Sequence, residues 1–509
     1  MSSDTDDSDW VDEAAEDSDV DEVEDEDSDD GYEYFPEGED EDLEENEMDA
    51  GDCEETWHLA SEEPVFEHSD SRVLQMLRLR ERGSRVDAAD LRTRFKPNTH
   101  ARRIKALDAK PYCAQFSKDG SLFYCATQDF TISLMDPHNN FSSIAEIQAM
   151  PGQWTITDCD LSKDSRTLVY SSIHPRIYLV RLGGFLDSGY EGGDATNPRS
   201  HVALNVGQDV GVWSIRMSDD GREVVAGCSD GLITVYDVEQ RRVVQRVMGH
   251  QDDVNAVTFA DISGNVLLSG SDDGLVKVWD RRSSLGAGKP AGILSGHTQG
   301  ITFITTLNRD GRTAVSNAKD QTMKLFDLRK MLDPDTALGH RAASVGVPGN
   351  FDYRWQPYPR ALRNHRHPHD VSVATFQGHS VLRTLIRCHY SPGNRFLYTG
   401  SSDGKVYIYD PVRDPSGGGP AQVLESPEKL RPHMSAEERQ LRAMMAVLPE
   451  ESPQRFMLHR MLRQYSRGTE SCVRDVAWSP DYPLIVGSVW KGERGGLEAF
   501  EYRSADRLF

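Results

Sequence analysis

Residues 254–280 read VNAVTFADISGNVLLSGSDDGLVKVWD, and the pair Gly249-His250 stands shortly before them. Apolar residues dominate three short stretches of this segment, which turn-forming residues separate at Asp261–Asn265 and Asp272–Gly274. Short apolar runs rich in β-branched residues favour strands, and Asp-Gly between two such runs indicates a tight hairpin. The segment therefore predicts a small antiparallel sheet of three strands.

The same pattern recurs along the chain. A further copy begins at Gly296-His297 and closes at Asp327, 47 residues after Asp280. Other copies close at Asp136, Val180, Asp237 and Asp410, and a last copy begins at Cys472. One such sheet is too small to bury both of its faces. Seven copies therefore predict a closed ring of radially packed sheets, since closure covers the faces and removes long exposed edges.

The Gly-His and Trp-Asp pairs make the region 100–505 resemble the WD40-repeat family. The resemblance implies an all-β, seven-bladed WD40 β-propeller, in which hydrogen bonds join a His, a hairpin Asp and a Trp within a blade. The matching residues are His250, Asp273 and Trp279 in blade four, His297 and Asp320 in blade five, and His379 and Asp403 in blade six. Phe326 and Tyr409 replace the Trp in blades five and six, and Lys491–Gly496 is an insertion in blade seven.

The acidity of the chain is concentrated in an N-terminal tail. The net charge is −28, from 84 acidic and 56 basic residues, and 34 of the acidic residues precede Arg72, the first basic residue. So many like charges with few apolar residues cannot bury enough surface to offset chain entropy. Residues 1–67 are therefore predicted to be a disordered acidic tail, which either keeps the protein soluble or contacts a basic partner.

A short amphipathic helix is predicted in the segment 68–95, between the tail and the propeller. Polar N-cap residues precede it, and Val73, Met76 and Leu77 recur at helical spacing. Its apolar stripe must pack against something. The helix therefore either folds back on the propeller or docks in a groove of a partner.

Two segments are longer than the repeat requires. Residues 332–376, which contain FDYRWQ, are predicted to lie between blades five and six, and residues 411–470 between blades six and seven. In the second segment, a capping box at Ser435 predicts a helix that runs to Leu448, and a further helix is predicted from Pro453 to Gln464. Function is often located in such additions to a rigid scaffold.

Blades four and five end alike, as Trp279-Asp280-Arg281-Arg282 and Phe326-Asp327-Leu328-Arg329. An Asp that closes the third strand, with Arg two residues later, places a forked cation at the rim of the ring. Such an Arg either satisfies its own neighbouring carboxylate or makes bidentate contacts to a partner.

These paired endings resemble the boxes of the WD40 substrate receptors of cullin-4 RING ubiquitin ligases. Further stretches, including KDQTMKLFDLRK and VLRTLIRCHYSP, resemble the family of cullin-4-associated factor eleven (WD-repeat protein twenty-three) and its plant homologues over about residues 68–505. The resemblance implies a non-catalytic receptor that binds the adaptor damaged-DNA-binding protein 1 and presents target proteins for ubiquitination. The residues it assigns to the adaptor are Asp280, Arg282, Asp327 and Arg329 in the two boxes, and Val73, Leu74, Met76, Leu77, Arg80 and Arg82 in the helix.

Other classes of function find little support. The sequence has no GxSxG, HExxH or Walker A motif, no CxxC pair among its seven cysteines, and no apolar stretch of about 18 residues. We therefore expect no catalytic site, metal, cofactor or membrane span, no nucleic-acid site, and a location in the nucleus and cytoplasm. The alternative that stays open is a WD40 scaffold outside the ubiquitin system that holds histones or another basic protein.

Overall fold

The computed structural model describes residues 96–98, 101–183, 201–335, 352–425, 444 and 471–502, apart from positions 208, 284, 287, 308, 355, 360, 361, 363, 364 and 493. The predicted acidic tail, the helix within 68–95 and the helices within 435–464 lie outside the described residues, except for Met444. None of the described helical segments is long and apolar enough to cross a membrane.

The described chain forms strands that are grouped in seven sheets. The first fourteen, in chain order, are β1 (Arg102–Leu107), β2 (Pro111–Phe116), β3 (Phe123–Thr127), β4 (Thr131–Asp136), β5 (Ser142–Gln148), β6 (Ile156–Leu161), β7 (Thr167–Ser172), β8 (Arg176–Arg181), β9 (His201–Asn205), β10 (Val212–Met217), β11 (Glu223–Cys228), β12 (Leu232–Asp237), β13 (Arg242–Met248) and β14 (Ala256–Phe259). The others are β15 (Val266–Gly270), β16 (Val276–Asp280), β17 (Gly292–Leu294), β18 (Ile301–Thr306), β19 (Thr313–Ala318), β20 (Met323–Asp327), β21 (Ala374–Phe376), β22 (Cys388–Tyr390), β23 (Leu397–Thr399), β24 (Lys405–Tyr409), β25 (Gln422–Glu425), β26 (Ser471–Trp478), β27 (Leu484–Lys491) and β28 (Arg494–Glu501). Short 3-10 turns occur at Pro137–Asn139, Ser229–Gly231 and Leu328–Lys330.

The predicted all-β, seven-bladed propeller is confirmed. Blades one to six are the antiparallel sheets β2–β5, β6–β9, β10–β13, β14–β17, β18–β21 and β22–β25, and blade seven has the order β1-β28-β27-β26. The first strands β2, β6, β10, β14, β18, β22 and β26 contact one another in that order, and β26 also contacts β2. These seven strands therefore surround the axis of a closed ring.

Each blade has four strands, whereas the sequence predicted three. In several blades the fourth strand has a weaker apolar pattern, because it lies at the outer edge of its sheet. In β13, for example, Val247 is buried but most of the other side chains are exposed or half-buried. The outer strand of blade seven is β1, from the other end of the chain, where Ala106 pairs with Gly496. This pairing joins the two ends of the propeller.

The outer strands also correct the predicted positions of the two long segments. Within residues 332–376, β21 pairs with β20, so this segment connects the third and fourth strands of blade five and does not lie between blades. Within residues 411–470, β25 pairs with β24 as the outer strand of blade six. Only residues 426–470 therefore connect blade six to blade seven.

The insertion predicted at Lys491–Gly496 lengthens one hairpin. Strands β27 and β28 pair along eight residues each, from Leu484↔Glu501 to Lys491↔Arg494. Gly492 starts the connecting turn with φ 66°, in the left-handed region that glycine adopts most easily. Blade seven therefore keeps the regular four-stranded order and extends further than the other blades at that end.

Buried charges connect blades across the axis of the ring. The Arg387 guanidinium, just before β22, donates to Asp158 Oδ1 on β6 at 2.7 Å and to Asp475 Oδ2 on β26 at 3.3 Å. Arg216 on β10 donates to Asp158 Oδ2 at 2.6 Å. Burial alone would raise the pKa of Asp158, but Arg216 and Arg387 outweigh it and lower that pKa. The cluster thus links blades two, three, six and seven.

Candidate protein-docking site

Strand direction assigns every connection to one of two faces of the ring. Because neighbouring strands are antiparallel, the connections that follow the first and third strands of a blade lie at one face. The connections that follow the second and fourth strands lie at the other face. We call the first the Arg282 face, since Arg282 follows the third strand of blade four, and the second the Trp154 face, since Trp154 lies between β5 and β6.

The predicted pair Asp280 and Arg282 forms a compact fork on the Arg282 face. Arg282 donates from Nε to Asp280 Oδ1 at 3.0 Å and from Nη2 to Oδ2 at 2.7 Å, and its backbone N donates to Oδ1 at 2.9 Å. These hydrogen bonds lower the pKa of Asp280. The Arg282 side chain is 68% exposed, so its outer edge faces solvent in a fixed orientation.

The pair Asp327 and Arg329 repeats this geometry one blade further on. Arg329 donates from Nε and Nη2 to Asp327 at 2.9 and 2.7 Å, and its backbone N donates at 3.0 Å within the 3-10 turn Leu328–Lys330. The hydrogen bond from Arg329 lowers the pKa of Asp327 to about 2. With the Arg329 side chain 75% exposed, two forked cations project from neighbouring blades of the same face.

Arg281 has a different role from its neighbour Arg282. Its guanidinium donates to Glu223 at 2.6 and 2.7 Å, to the Gly264 carbonyl and to Gln245, and the side chain is largely buried. Glu223 belongs to blade three, so Arg281 ties blades three and four together. Among the described residues, Arg282 donates only to Asp280, and its side chain stays largely exposed.

The predicted network of blade four is joined through a serine that the sequence analysis missed. His250 Nδ1 lies 2.9 Å from Asp273 Oδ2, and Trp279 Nε1 donates to Ser269 Oγ at 2.8 Å. Ser269 Oγ also lies 2.7 Å from His250 Nε2. Burial lowers the pKa of His250 although Asp273 opposes the shift, so the ring is neutral and Nε2 accepts from Ser269. The serine could have been found as the repeated Ser in the second strand.

Blades five and six depart from this arrangement by different amounts. In blade five, His297 lies 2.9 Å from Asp320 and 2.7 Å from Ser316, while Phe326 supplies only an apolar ring. In blade six the expected His379–Asp403 link is replaced. His379 contacts the Tyr409 hydroxyl at 2.9 Å and Asn317 of blade five at 2.8 Å, whereas Asp403 accepts from Tyr407 at 2.6 Å. The Tyr409 hydroxyl therefore contacts His379 directly, whereas in blade four Ser269 links Trp279 to His250.

Comparison with known proteins gives the family of the chain. The model "WD domain, G-beta repeat" matches residues 201–237, 241–280, 288–327 and 370–410. The LEC14B protein of Lithospermum erythrorhizon is 38% identical over 433 residues, which cover 84% of this chain and 80% of that protein. The LEC14B homolog of Prunus armeniaca is 37% identical over 420 residues, which cover 81% of this chain and 77% of that protein.

The chain belongs to the LEC14B family of WD40-repeat proteins. A further relative, from Caenorhabditis elegans, is named "DDB1- and CUL4-associated factor 11 homolog". It is 34% identical over 328 residues, which cover 61% of this chain and 55% of that protein. The predicted resemblance to the family of cullin-4-associated factor eleven and its plant homologues is therefore confirmed.

Exposed apolar side chains accompany the two forks of this LEC14B-family chain, and the sequence analysis missed them. Ile262 follows the first strand of blade four, and Met331 and Val412 follow the third strands of blades five and six. Their exposed fractions are 65%, 39% and 70%. Single exposed apolar residues are common, but these three share the Arg282 face with both forks. A sequence cannot show this grouping, because the residues come from three different repeats.

The remaining predicted docking residues cannot be placed. Val73, Leu74, Met76, Leu77, Arg80 and Arg82 lie outside the described residues. Among the described residues there is no group of three or more His, Cys, Asp or Glu side chains that could hold a metal ion.

A third fork with the same geometry lies on the opposite face. Arg354 donates to Asp352 at 2.9 Å from Nε and 2.7 Å from Nη2, and its side chain is 60% exposed. The Tyr353 carbonyl accepts from the backbone N of Arg383 at 2.8 Å, and Lys319 Nζ lies 4.2 Å from the Tyr353 ring centroid. Since Arg383 and Lys319 are in Trp154-face connections, the segment inserted in blade five crosses from one face to the other.

Proposed function

We propose that this chain is the substrate-recognition subunit of a cullin-4 RING E3 ubiquitin ligase. In this proposal the Arg282 face binds the adaptor damaged-DNA-binding protein 1, the opposite face holds the target protein, and the chain works in the nucleus and cytoplasm. Its contribution is proximity, because the target is held near the ubiquitin-conjugating enzyme while the chemistry takes place elsewhere in the assembly. The chain itself is non-catalytic.

The observation that carries the proposal is the identical pairing of Arg282 and Arg329. In each fork the carboxylate holds Nε and Nη2, while Nη1 makes no hydrogen bond among the described residues. The guanidinium is therefore oriented before a partner arrives, which lowers the entropy cost of forming charged hydrogen bonds to its carbonyls or carboxylates. Ile262, Met331 and Val412 add apolar area on the same face. The names of the Caenorhabditis relatives support the same assignment.

Binding of the purified adaptor to the full chain tests the proposal. The double variant Arg282→Ala/Arg329→Ala should bind the adaptor about tenfold to a hundredfold more weakly, measured as Kd by biolayer interferometry. Arg354→Ala is the matched control, because it removes the same kind of fork from the opposite face and should leave this Kd unchanged. A folded double variant that binds as tightly as the natural chain would contradict the proposal.

Immunoprecipitation separates this function from the scaffold alternative. Cullin-4 and its adaptor should be recovered in amounts comparable to the chain itself. Recovery of histones or another basic protein without the adaptor would favour the scaffold.

A further inference from the structure

Three aromatic rings form a cluster on the Trp154 face. Tyr112 is at the centre, with its ring centroid 4.9 Å from that of Trp490 and 5.3 Å from that of Trp154. Trp490 is the penultimate residue of the second strand of blade seven and donates from Nε1 to the Pro111 carbonyl at 2.6 Å. The cluster therefore joins blades seven and one to the connection that leads into blade two.

Trp154 is held in an unusual backbone conformation. Its φ is 68°, in the left-handed region that bulky residues avoid, and its side chain is 54% exposed. Such a conformation costs on the order of 1–3 kcal/mol, and it persists where the surroundings impose it. Because the Trp154 side chain is half exposed, the apolar area that it buries does little to offset this backbone strain. Its position therefore points to a contact outside the chain.

A buried cation without a carboxylate lies beside the cluster. Arg474, near the start of β26, is 4% exposed, and its guanidinium carbon lies 4.8 Å from the Tyr112 ring centroid. It donates from Nε to Thr384 Oγ1 at 3.1 Å and from Nη1 to the Tyr112 carbonyl. Within the described residues it makes no ion pair, and Nη2 makes no hydrogen bond. Burial and the neighbouring Arg387 lower the pKa of Arg474, and the nearby Asp475, which is hydrogen-bonded to Arg387, opposes this shift only in part.

The charges around the cluster select the sign of a ligand. Lys110 Nζ lies 5.7 Å from the Trp490 ring centroid, and Arg474 already lies over Tyr112. Two of the three rings thus have a cation of this chain against them, which disfavours a cationic guest. By contrast, a carboxylate that reaches Arg474 would gain charge-assisted hydrogen bonds and relieve the cost of burying an unpaired guanidinium.

We infer that the Trp154 face contains a binding pocket for an acidic peptide segment, in which Arg474 receives a Glu or Asp side chain and Trp154, Tyr112 and Trp490 receive an adjacent aromatic or aliphatic side chain. A side-chain carboxylate fits better than a chain terminus, because Arg474 is nearly buried and a side chain reaches further below the surface. The assignment of this peptide to a ligase target rests on the proposed function. The binding itself does not.

A peptide selection on the immobilised full chain tests the pocket. The probe is a pooled library of nine-residue peptides with random sequence and amidated carboxyl termini. We expect enrichment of peptides in which Glu or Asp stands next to Trp, Phe or Leu. Fluorescence anisotropy then measures the Kd of each enriched peptide. Arg474→Met and Trp154→Ala should weaken binding of an enriched peptide about tenfold or more. Tyr482→Ala is the matched control, since it removes an aromatic side chain of similar exposure, 47%, from the opposite face.

The outcomes are separable from those of the proposed function. Trp154→Ala and Arg474→Met should keep the adaptor Kd of the natural chain, and Arg474→Lys should retain part of the peptide affinity because it keeps the charge. Unfolding of Arg474→Met would leave Trp154→Ala and Arg474→Lys as the deciding variants. The inference is overturned if no acidic peptide is enriched, if lysine-rich peptides are enriched, if enrichment requires a free carboxyl terminus, or if both folded variants bind normally. Adaptor binding that fails while peptide binding persists would contradict only the proposed function.

Discussion

At the scale of single residues, Ser269 connects two buried polar groups of blade four. Trp279 donates to it and His250 accepts from it, so one hydroxyl satisfies an indole and an imidazole at once. Ser316 has the corresponding place in blade five, but Phe326 offers no donor there, and only His297 depends on it. The two serines therefore allow the cost of one and of two unsatisfied groups to be compared in the same protein.

Ser269→Ala should destabilise the protein more than Ser316→Ala. Each buried group left without a partner costs about 1–3 kcal/mol, so we expect a loss of roughly 2–6 kcal/mol for Ser269→Ala and about half of that for Ser316→Ala. Urea unfolding followed by tryptophan fluorescence measures both. Ser263→Ala, an exposed serine of the same blade, is the control and should change little. Equal losses at Ser269 and Ser316 would contradict the shared role of the Ser269 hydroxyl.

At the scale of elements, the closing strand β1 determines whether the ring is complete. It pairs with β28 from Arg102↔Ala499 to Leu107↔Gly495, and without it β28 would become an exposed edge. The preceding segment is anchored as well, because the Asn98 backbone N donates to the Glu501 carbonyl at 3.0 Å.

A chain that begins at residue 108 should therefore be less stable than one that begins at residue 96. We expect the Tm to fall by about 5 °C or more and aggregation to increase, since the open edge of β28 can pair with another chain. Differential scanning calorimetry and light scattering measure the two effects. Both forms lack the acidic tail, so any difference belongs to the closing strand. An unchanged Tm would show that the ring does not need β1.

The elements also show what the sequence could and could not predict. The inner three strands of blade four are buried almost throughout, because they face neighbouring blades, and their apolar pattern is visible in residues 254–280. Strand β25 is mostly exposed and lacks that pattern, while β21 has only three residues and is separated from β20 by the long inserted segment, so both strands were missed. The closing strand is separated from β28 by almost the whole propeller, and no local pattern reveals such a pairing.

The candidate sites could likewise be predicted only where their residues are close together in the sequence. The forks at Arg282 and Arg329 could be predicted because Asp and Arg are two residues apart in the chain. The cluster of Tyr112, Trp154 and Trp490 could not, because its members meet only after the ring has closed. The link between His379 and Asn317 crosses from one blade to the next and was missed for the same reason.

At the scale of the whole molecule, the Arg282 face and the Trp154 face lie at opposite ends of the axis of the ring. If the adaptor binds one face and a target the other, the propeller between them must be rigid to position the target. The cluster of Arg387, Asp158 and Asp475 contributes to this rigidity, because it joins strands of blades two, six and seven that are far apart in the chain. All three side chains are buried.

Arg387→Met should be strongly destabilising, and the effect should depend on pH. In the natural chain, burial acts against ionisation of Asp475, but Arg387 and His389 outweigh it and hold its pKa well below the ordinary value. That stabilisation is present above the unfolded-state pKa of about 3.9 and is lost as the pH falls through the folded-state pKa. Without Arg387 the buried carboxylate is undercompensated, and we expect a loss of about 3–5 kcal/mol in the free energy of unfolding at pH 7.5.

The difference between Arg387→Met and the natural chain should then narrow as the pH is lowered toward about 4, because protonation of the carboxylates removes the unpaired charge. Urea unfolding at pH 7.5, 6 and 5 measures the trend. Arg281→Met is the matched control: its pair with Glu223 joins neighbouring blades, but both side chains keep some contact with solvent, so we expect a smaller loss of about 1–2 kcal/mol. Equal losses for the two variants at pH 7.5 would show that the charged cluster across the axis stabilises the ring no more than a contact between adjacent blades does.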